Sequence, residues 1–523
     1  MRRWIRKGML FFVSLTLVFA GCGAPEEAKE PDNQAEGGKK TAQVLNIGSK
    51  IDFKNNEEPY TLVFDSLTDL SVKQEPIPFL AESWEVDETS TEFVFHLVEG
   101  VKFSDGSPLT GEDVKKSLER IGGALHIAYA EHLEQIEVLS DRQIRVKMKK
   151  PQLFFLSELA KIPIVKASAI DEEGRIKEYI GTGAYVLHDY EADVSAHLTK
   201  NPHYWRGDRD FAIEEIRWIV LADNEARKMA LLSGQVDVIG ISEHFPTLSF
   251  SDIAEFKKED SLRYYEQEQK NYTYVKALAL NWKDGPAADR ELRRALEYAI
   301  DRKTLTETLF FGEAHPCGFI YNPAMVGGPV KEEEFSYDPE KAKEILKQAG
   351  YRMEGEKLVK DGKPVVLRYR DVDSPISSDL SIFLQNELAK LGIGLDIQLL
   401  EGKLVGEMLK SGEYDIGIGH NLFAPLNSSI AWNGTRKEHS EFGLGFGVSA
   451  EAEEAARRVL EAGNIEDFEQ AAQDYWREQW EACPIIPLYY NNRIAFYNSK
   501  FEGFQYSGAI LRIDLSKVRK IDE

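Results

Sequence analysis

The order of apolar and polar positions along the chain alternates between two periods. Ile216–Leu221 (IRWIVL) reads as a strand. Asp223 is placed to cap a helix that runs to Ser233, Gly234 to end it, and Val236–Ile239 resumes a strand, so the stretch predicts a βαβ unit. Farther on, Asp338-Pro339 opens a helix whose Ala342, Ile345, Leu346 and Ala349 recur at helical spacing before Gly350. Val365–Tyr369 then reads as a strand and Leu380–Leu391 as a helix stopped by Gly392. Leu395–Leu399 reads as a strand, Leu404–Leu409 as a short helix and Tyr414–Ile418 as a strand. Repeated βα units predict an α/β protein with mainly parallel sheet covered by helices. Between about residues 60 and 180 the pattern changes to short strands, such as Glu92–Leu97 and Gln143–Met148, which predicts an inserted subdomain.

The N-terminal stretch differs from the rest of the pattern. Arg2, Arg3, Arg6 and Lys7 precede an apolar run from Met9 to Ala20, then Gly21-Cys22. The run is shorter than the roughly 20 residues of a spanning helix, and basic head, short apolar middle and small residues are the layout of an export signal. Phe19-Ala20-Gly21-Cys22 resembles the bacterial lipobox, with Phe19 where Leu or Val is usual. The resemblance implies cleavage after residue 21 and a lipid on Cys22 that anchors the protein to the cell membrane on its outer side. Residues 22–43 are polar and rich in Pro and Gly, a flexible tether.

Composition narrows the function. With 523 residues, 43% of them hydrophobic, the chain can bury a large core in more than one lobe. Its 64 Lys and Arg against 88 Asp and Glu give a net charge of −24, which disfavours a nucleic-acid partner. Beyond Cys22 only Cys317 and Cys483 occur, at no zinc spacing; a disulfide and two buried thiols are equally compatible with the sequence. No GxSxG, HExxH or Walker A pattern occurs, and Gly443–Gly447 lacks the spacing of a nucleotide loop. Nothing points to an enzyme or to a resident cofactor. A secreted hydrolase working through paired carboxylates is the distant alternative.

Several segments in order carry a family resemblance. They are Pro78–Trp84 (PFLAESW), Phe93–Leu97 with Val101–Gly106 (VKFSDG), Gly181–Tyr185 (GTGAY) and Asn201–Gly207 (NPHYWRG). Leu280-Asn281 with Arg290–Arg302, Tyr337–Ala342 with Gly350-Tyr351, and Pro484–Tyr489 (PIIPLY) follow. Together, over roughly residues 44–500, they resemble the extracytoplasmic solute-binding proteins, family 5, of dipeptide, oligopeptide and nickel ABC importers.

The resemblance implies a type II periplasmic-binding-protein fold. Lobe I is expected over 44–269 and 491–523, with the inserted subdomain at about 60–180, and lobe II over 270–490. It implies a monomer working with a permease and its ATPase. Peptide-binding members place an Asp after the strand corresponding to Tyr414–Ile418. Here no carboxylate occurs between Asp415 and Glu438, and Asn427 stands at the acidic position. Nickel-type members use a first-lobe aromatic and an Arg or His after this loop. Tyr129 falls near the former and Arg436 and His439 near the latter; the first-lobe Arg that binds chelator carboxylates in those members has no counterpart, with only Lys161 and Lys166 nearby. His439 is the implied metal ligand, and nickel would enter only within the transported solute. A chelated metal is preferred to a di- or oligopeptide.

Overall fold

The computed structural model of the protein describes residues 43–521 apart from 55–56, 72–74, 121–128, 208–210, 242–247, 268–274, 332–333, 421–448 and 507–511. Two sheets organise it. One has seven strands in the order Leu262–Gln267, Arg493–Asn498, Val238–Ile239, Gln43–Ser49, Ile213–Val220, Ser195–Lys200, Tyr185–Glu191. The other has six: Ala314–Pro316, Ile485–Asn491, Lys276–Leu280, Ile416–His420, Val366–Val372, Gly394–Leu400.

The seven-stranded sheet has a parallel centre between antiparallel flanks, and the six-stranded sheet is parallel at one end and antiparallel over the rest, which corrects the expectation of a mainly parallel sheet. Gln43–Ser49 runs parallel to both of its neighbours, as does Val366–Val372. The flanks reverse because Tyr185–Glu191 and Ser195–Lys200 form a hairpin and because the chain passes between sheets. Ile485–Asn491 is separated from Arg493–Asn498 by Asn492 alone. The helix Asn224–Leu232 is capped by Asp223, whose side chain accepts from the Ala226 amide. The two strands it connects are not adjacent, however; Gln43–Ser49, from far earlier in the chain, lies between them.

Local chemistry sets the helix boundaries. Asp338 accepts from the Lys341 amide with Pro339 in the first turn. The helix expected over 380–391 begins earlier, at Pro375, because Ser374 caps it through the Ser377 amide. The strand before it runs correspondingly later, Val366–Val372.

The short strands of the mixed stretch form a separate antiparallel sheet, Ala81–Val86, Glu92–Leu97, Gln143–Met148, Leu133–Ser140. Alternate residues of its central strands are buried, so Phe93, Phe95, Ile144 and Val146 build one core beneath it with Phe155 and Leu159. Cys317 and Cys483 are buried thiols rather than a disulfide; their Sγ atoms lie 3.2 Å from the Phe319 carbonyl oxygen and 3.5 Å from that of Arg293. Among the described residues no helix is long and apolar enough to cross a membrane.

Candidate functional site

Strand order locates the crevice. Val366–Val372 leads through Pro375–Ala389 to Gly394–Leu400 on one side, while Ile416–His420 lies on its other side. The order reverses between these two parallel strands, and in open α/β sheets ligands bind outside the carboxyl ends at such a reversal. Residues 421–448 continue directly from that carboxyl end, so Asn427, Arg436 and His439 lie outside the described residues, as does Cys22. In the seven-stranded sheet, the carboxyl end of Gln43–Ser49 leads to helix Glu57–Val63, which carries Tyr60.

Behind that helix the chain is drawn into close contact. The Gly183 amide donates to the Val63 carbonyl at 2.9 Å. A β-carbon at Gly181 would stand 2.1 Å from the Val63 oxygen, and one at Gly183 2.5 Å from the Val63 carbonyl carbon. Both glycines are therefore required by approach, and Thr182 between them donates to Asp65 Oδ2 at 3.0 Å. The indole of Trp205 donates to the same oxygen at 2.9 Å. Asp65 Oδ1 and Asp69 Oδ2 lie 3.3 Å and 3.2 Å from the guanidinium of Arg512, which also donates to Ser66 Oγ at 3.2 Å and sits 4.1 Å from the Phe79 ring centre. Two motifs and the C-terminal segment thus converge on one buried carboxylate.

Beside this network opens a cavity of about 310 Å³ lined by Tyr60, Phe64, Arg120, Lys161, Tyr179 and Arg512, among others. Tyr60 and Tyr179 hydroxyls are 3.2 Å apart. The Lys161 ammonium faces the buried Glu158 carboxylate at 3.6 Å. Arg120, the cap residue after helix Gly111–Glu119, is different. Burial depresses its guanidinium pKa, and the groups acting against that depression are the hydroxyls of Tyr60, Tyr129 and Tyr179. Among the described residues it forms no ion pair, and its Nε makes no hydrogen bond.

Of the residues singled out from sequence, Lys161 lines the cavity. Tyr129 does not: it is 1% exposed and packs edge-on against Phe155 at 4.8 Å. Its hydroxyl pKa is raised by burial and by the Glu158 charge. The residue joins the core beneath the antiparallel sheet because its ring completes the Phe93–Phe155 cluster. The aromatic surface of the cavity comes instead from Tyr60 and Tyr179. Sequence reasoning missed both, and also Arg120, whose one signal was a cation just past an amphipathic helix. Among the described residues no group of three His, Cys, Asp or Glu is placed to hold a metal ion.

Two α/β sheets, one passing into the other through Asn492 alone, with a crevice at the carboxyl ends of their parallel strands, have the architecture of a two-lobed periplasmic binding protein. The chain belongs to the bacterial extracellular solute-binding proteins, family 5, whose middle-region model matches residues 75–437. The heme-binding protein A of Haemophilus influenzae is 28% identical over 304 residues, 52% of this chain and 54% of that one. The nickel-binding periplasmic protein of Escherichia coli is 26% identical over 378 residues, 69% of this chain and 70% of that one. The di/tripeptide-binding protein 2 of Pseudomonas aeruginosa is 25% identical over 487 residues, 85% and 86%. NikA from Brucella suis, solved with Fe(III)-EDTA, superposes with a TM-score of 0.82 at 21% identity, over 91% of this chain and 99% of that one. The fold is accordingly type II, two-lobed, as the motif order implied.

Proposed function

We propose that this protein captures a carboxylate-bearing solute outside the cell, a chelated metal in preference to a peptide, and hands it to an ABC permease. The observation that carries the ligand class is Arg120. A cation removed from water without an anion loses hydration that a ligand carboxylate restores through a charge-assisted, bidentate contact. Tyr60 and Tyr179 offer flat apolar surface and hydroxyls at the same opening. Asp65, by contrast, is already engaged by Arg512, Thr182 and Trp205, which leaves it poorly suited to a ligand ammonium. Binding is read as closure of the two lobes about crossovers near residues 270 and 490, which removes the solute from water.

Calorimetry with nickel plus L-histidine, nickel plus a polycarboxylate chelator, and a panel of short peptides tests the ligand class. The chelates are expected to bind and the peptides not. The broad match to a di/tripeptide-binding relative favours peptide as the second reading, and tight peptide binding unaffected by Arg436→Ala or His439→Ala would establish it in place of the first.

The anchor is proposed at Cys22. Fatty-acid labelling is expected to mark the wild type and not Cys22→Ala, which leaves the membrane fraction. Label that persists in the variant defeats the assignment.

A further inference from the structure

Helix Phe250–Phe256 stands where the two sheets meet. Phe250 packs 4.2 Å from Phe310 and 5.9 Å from Tyr489, a residue of the six-stranded sheet. Phe256, two turns on, packs 5.3 Å from Phe496 of the seven-stranded sheet. The residue that caps this helix is Lys257, and its ammonium bridges two carboxylates, Glu266 at 2.9 Å and Glu313 at 2.5 Å.

Those carboxylates come from different sheets. Glu266 lies in the edge strand Leu262–Gln267, paired with Ile494. Glu313 immediately precedes Ala314–Pro316, the edge strand of the other sheet. Asn492, the single residue between the two sheets on this side, donates its amide to Glu266 at 2.8 Å. The Lys257 and Glu313 side chains are 19% and 12% exposed, so solvent screens this pair less than an open surface pair. Both edge strands lie across the crossover strands from Gln43–Ser49 and Val366–Val372. The bridge is therefore well removed in the strand order from the strands that frame the crevice, and on the closure reading rotation about the crossovers would change the Lys257–Glu313 separation.

We propose that Lys257 is a positioning residue: by tying Glu266 to Glu313 beside the crossover it sets the angle between the two sheets, and through that angle the affinity for solute, without touching the solute. The proposal rests on the closure reading above only in requiring that the sheets move relative to each other. An interaction whose strength differs between two conformers shifts their ratio by its differential energy, on the order of fivefold for a coupling at the low end of the usual range.

Single-molecule energy transfer on the full chain reads the angle without any solute, with bioorthogonal dyes at the exposed Glu214 of one sheet and Gln398 of the other. Lys257→Met and Glu313→Gln are each expected to shift the ligand-free conformer ratio by roughly fivefold, and the double variant to shift it no further. Lys257→Arg restores the wild-type distribution, and raised salt moves the wild type while leaving the single variants where they are. A distribution unchanged in both single variants, or a double variant whose shift is the sum of the two, overturns the proposal. Failure of closure itself looks different: the wild type saturated with nickel plus L-histidine, or with whichever panel compound calorimetry shows to bind, keeps its ligand-free distribution.

Discussion

The two guanidinium groups at the cavity, Arg512 buried and Arg120 half-buried, face opposite situations. Arg512 lies between Asp65 and Asp69 and over Phe79, so its charge is balanced by residues from distant parts of the chain. Arg120 lies among tyrosines and, among the described residues, has no carboxylate. A buried cation with two anions holds a wall together; under the proposed function, a half-buried cation without one is poised for an anion that arrives. Burial alone therefore does not separate framework from recognition, whereas the charge count around the group does.

The largest expected effect comes from breaking the balanced side. Arg512→Met leaves Asp65 and Asp69 facing each other without a cation and should lower unfolding stability by about 3–5 kcal/mol in denaturant melts; a loss under about 1 kcal/mol would mean that the network contributes little. Arg120→Met should act the other way. Its melting temperature is not expected to fall, but affinity for the solute found by calorimetry should drop roughly 10- to 100-fold, the range of one charge-assisted contact of about 1.5–3 kcal/mol. Unchanged affinity would remove the distinction between the two arginines. The smallest effect belongs to Tyr129→Phe. Its hydroxyl makes no hydrogen bond among the described residues, so stability should change by less than about 0.5 kcal/mol. A loss well above that would show that the hydroxyl is a partner of Arg120.

Much of the framework was legible because it rests on local signals. The caps at Asp223 and Asp338 and the strands Glu92–Leu97 and Gln143–Met148 are set by residues within a few positions of one another. The insertion of Gln43–Ser49 between Ile213–Val220 and Val238–Ile239 was not legible, since nothing in a strand's period says which strand lies beside it. The cavity was legible only in part. Lys161 lies close to the motifs, but Asp65 and Arg512 meet across 447 positions, and no periodicity links them. Tyr129 misled because spacing gives a residue's place in sequence, while its ring was taken up by the Phe93–Phe155 core.

The passage from Ile485–Asn491 to Arg493–Asn498 through Asn492 leaves the chain no slack. One strand effectively serves two sheets, and its side chains alternate faces on both sides of the junction. A single added or deleted residue there exchanges inward for outward positions in everything that follows, moving Phe496 and Ala495 off their partners. Chain length at this point thus constrains the packing more tightly than side-chain identity does. A reporter domain spliced at Asn492 would sever the mechanical continuity of the molecule, however well its own ends matched.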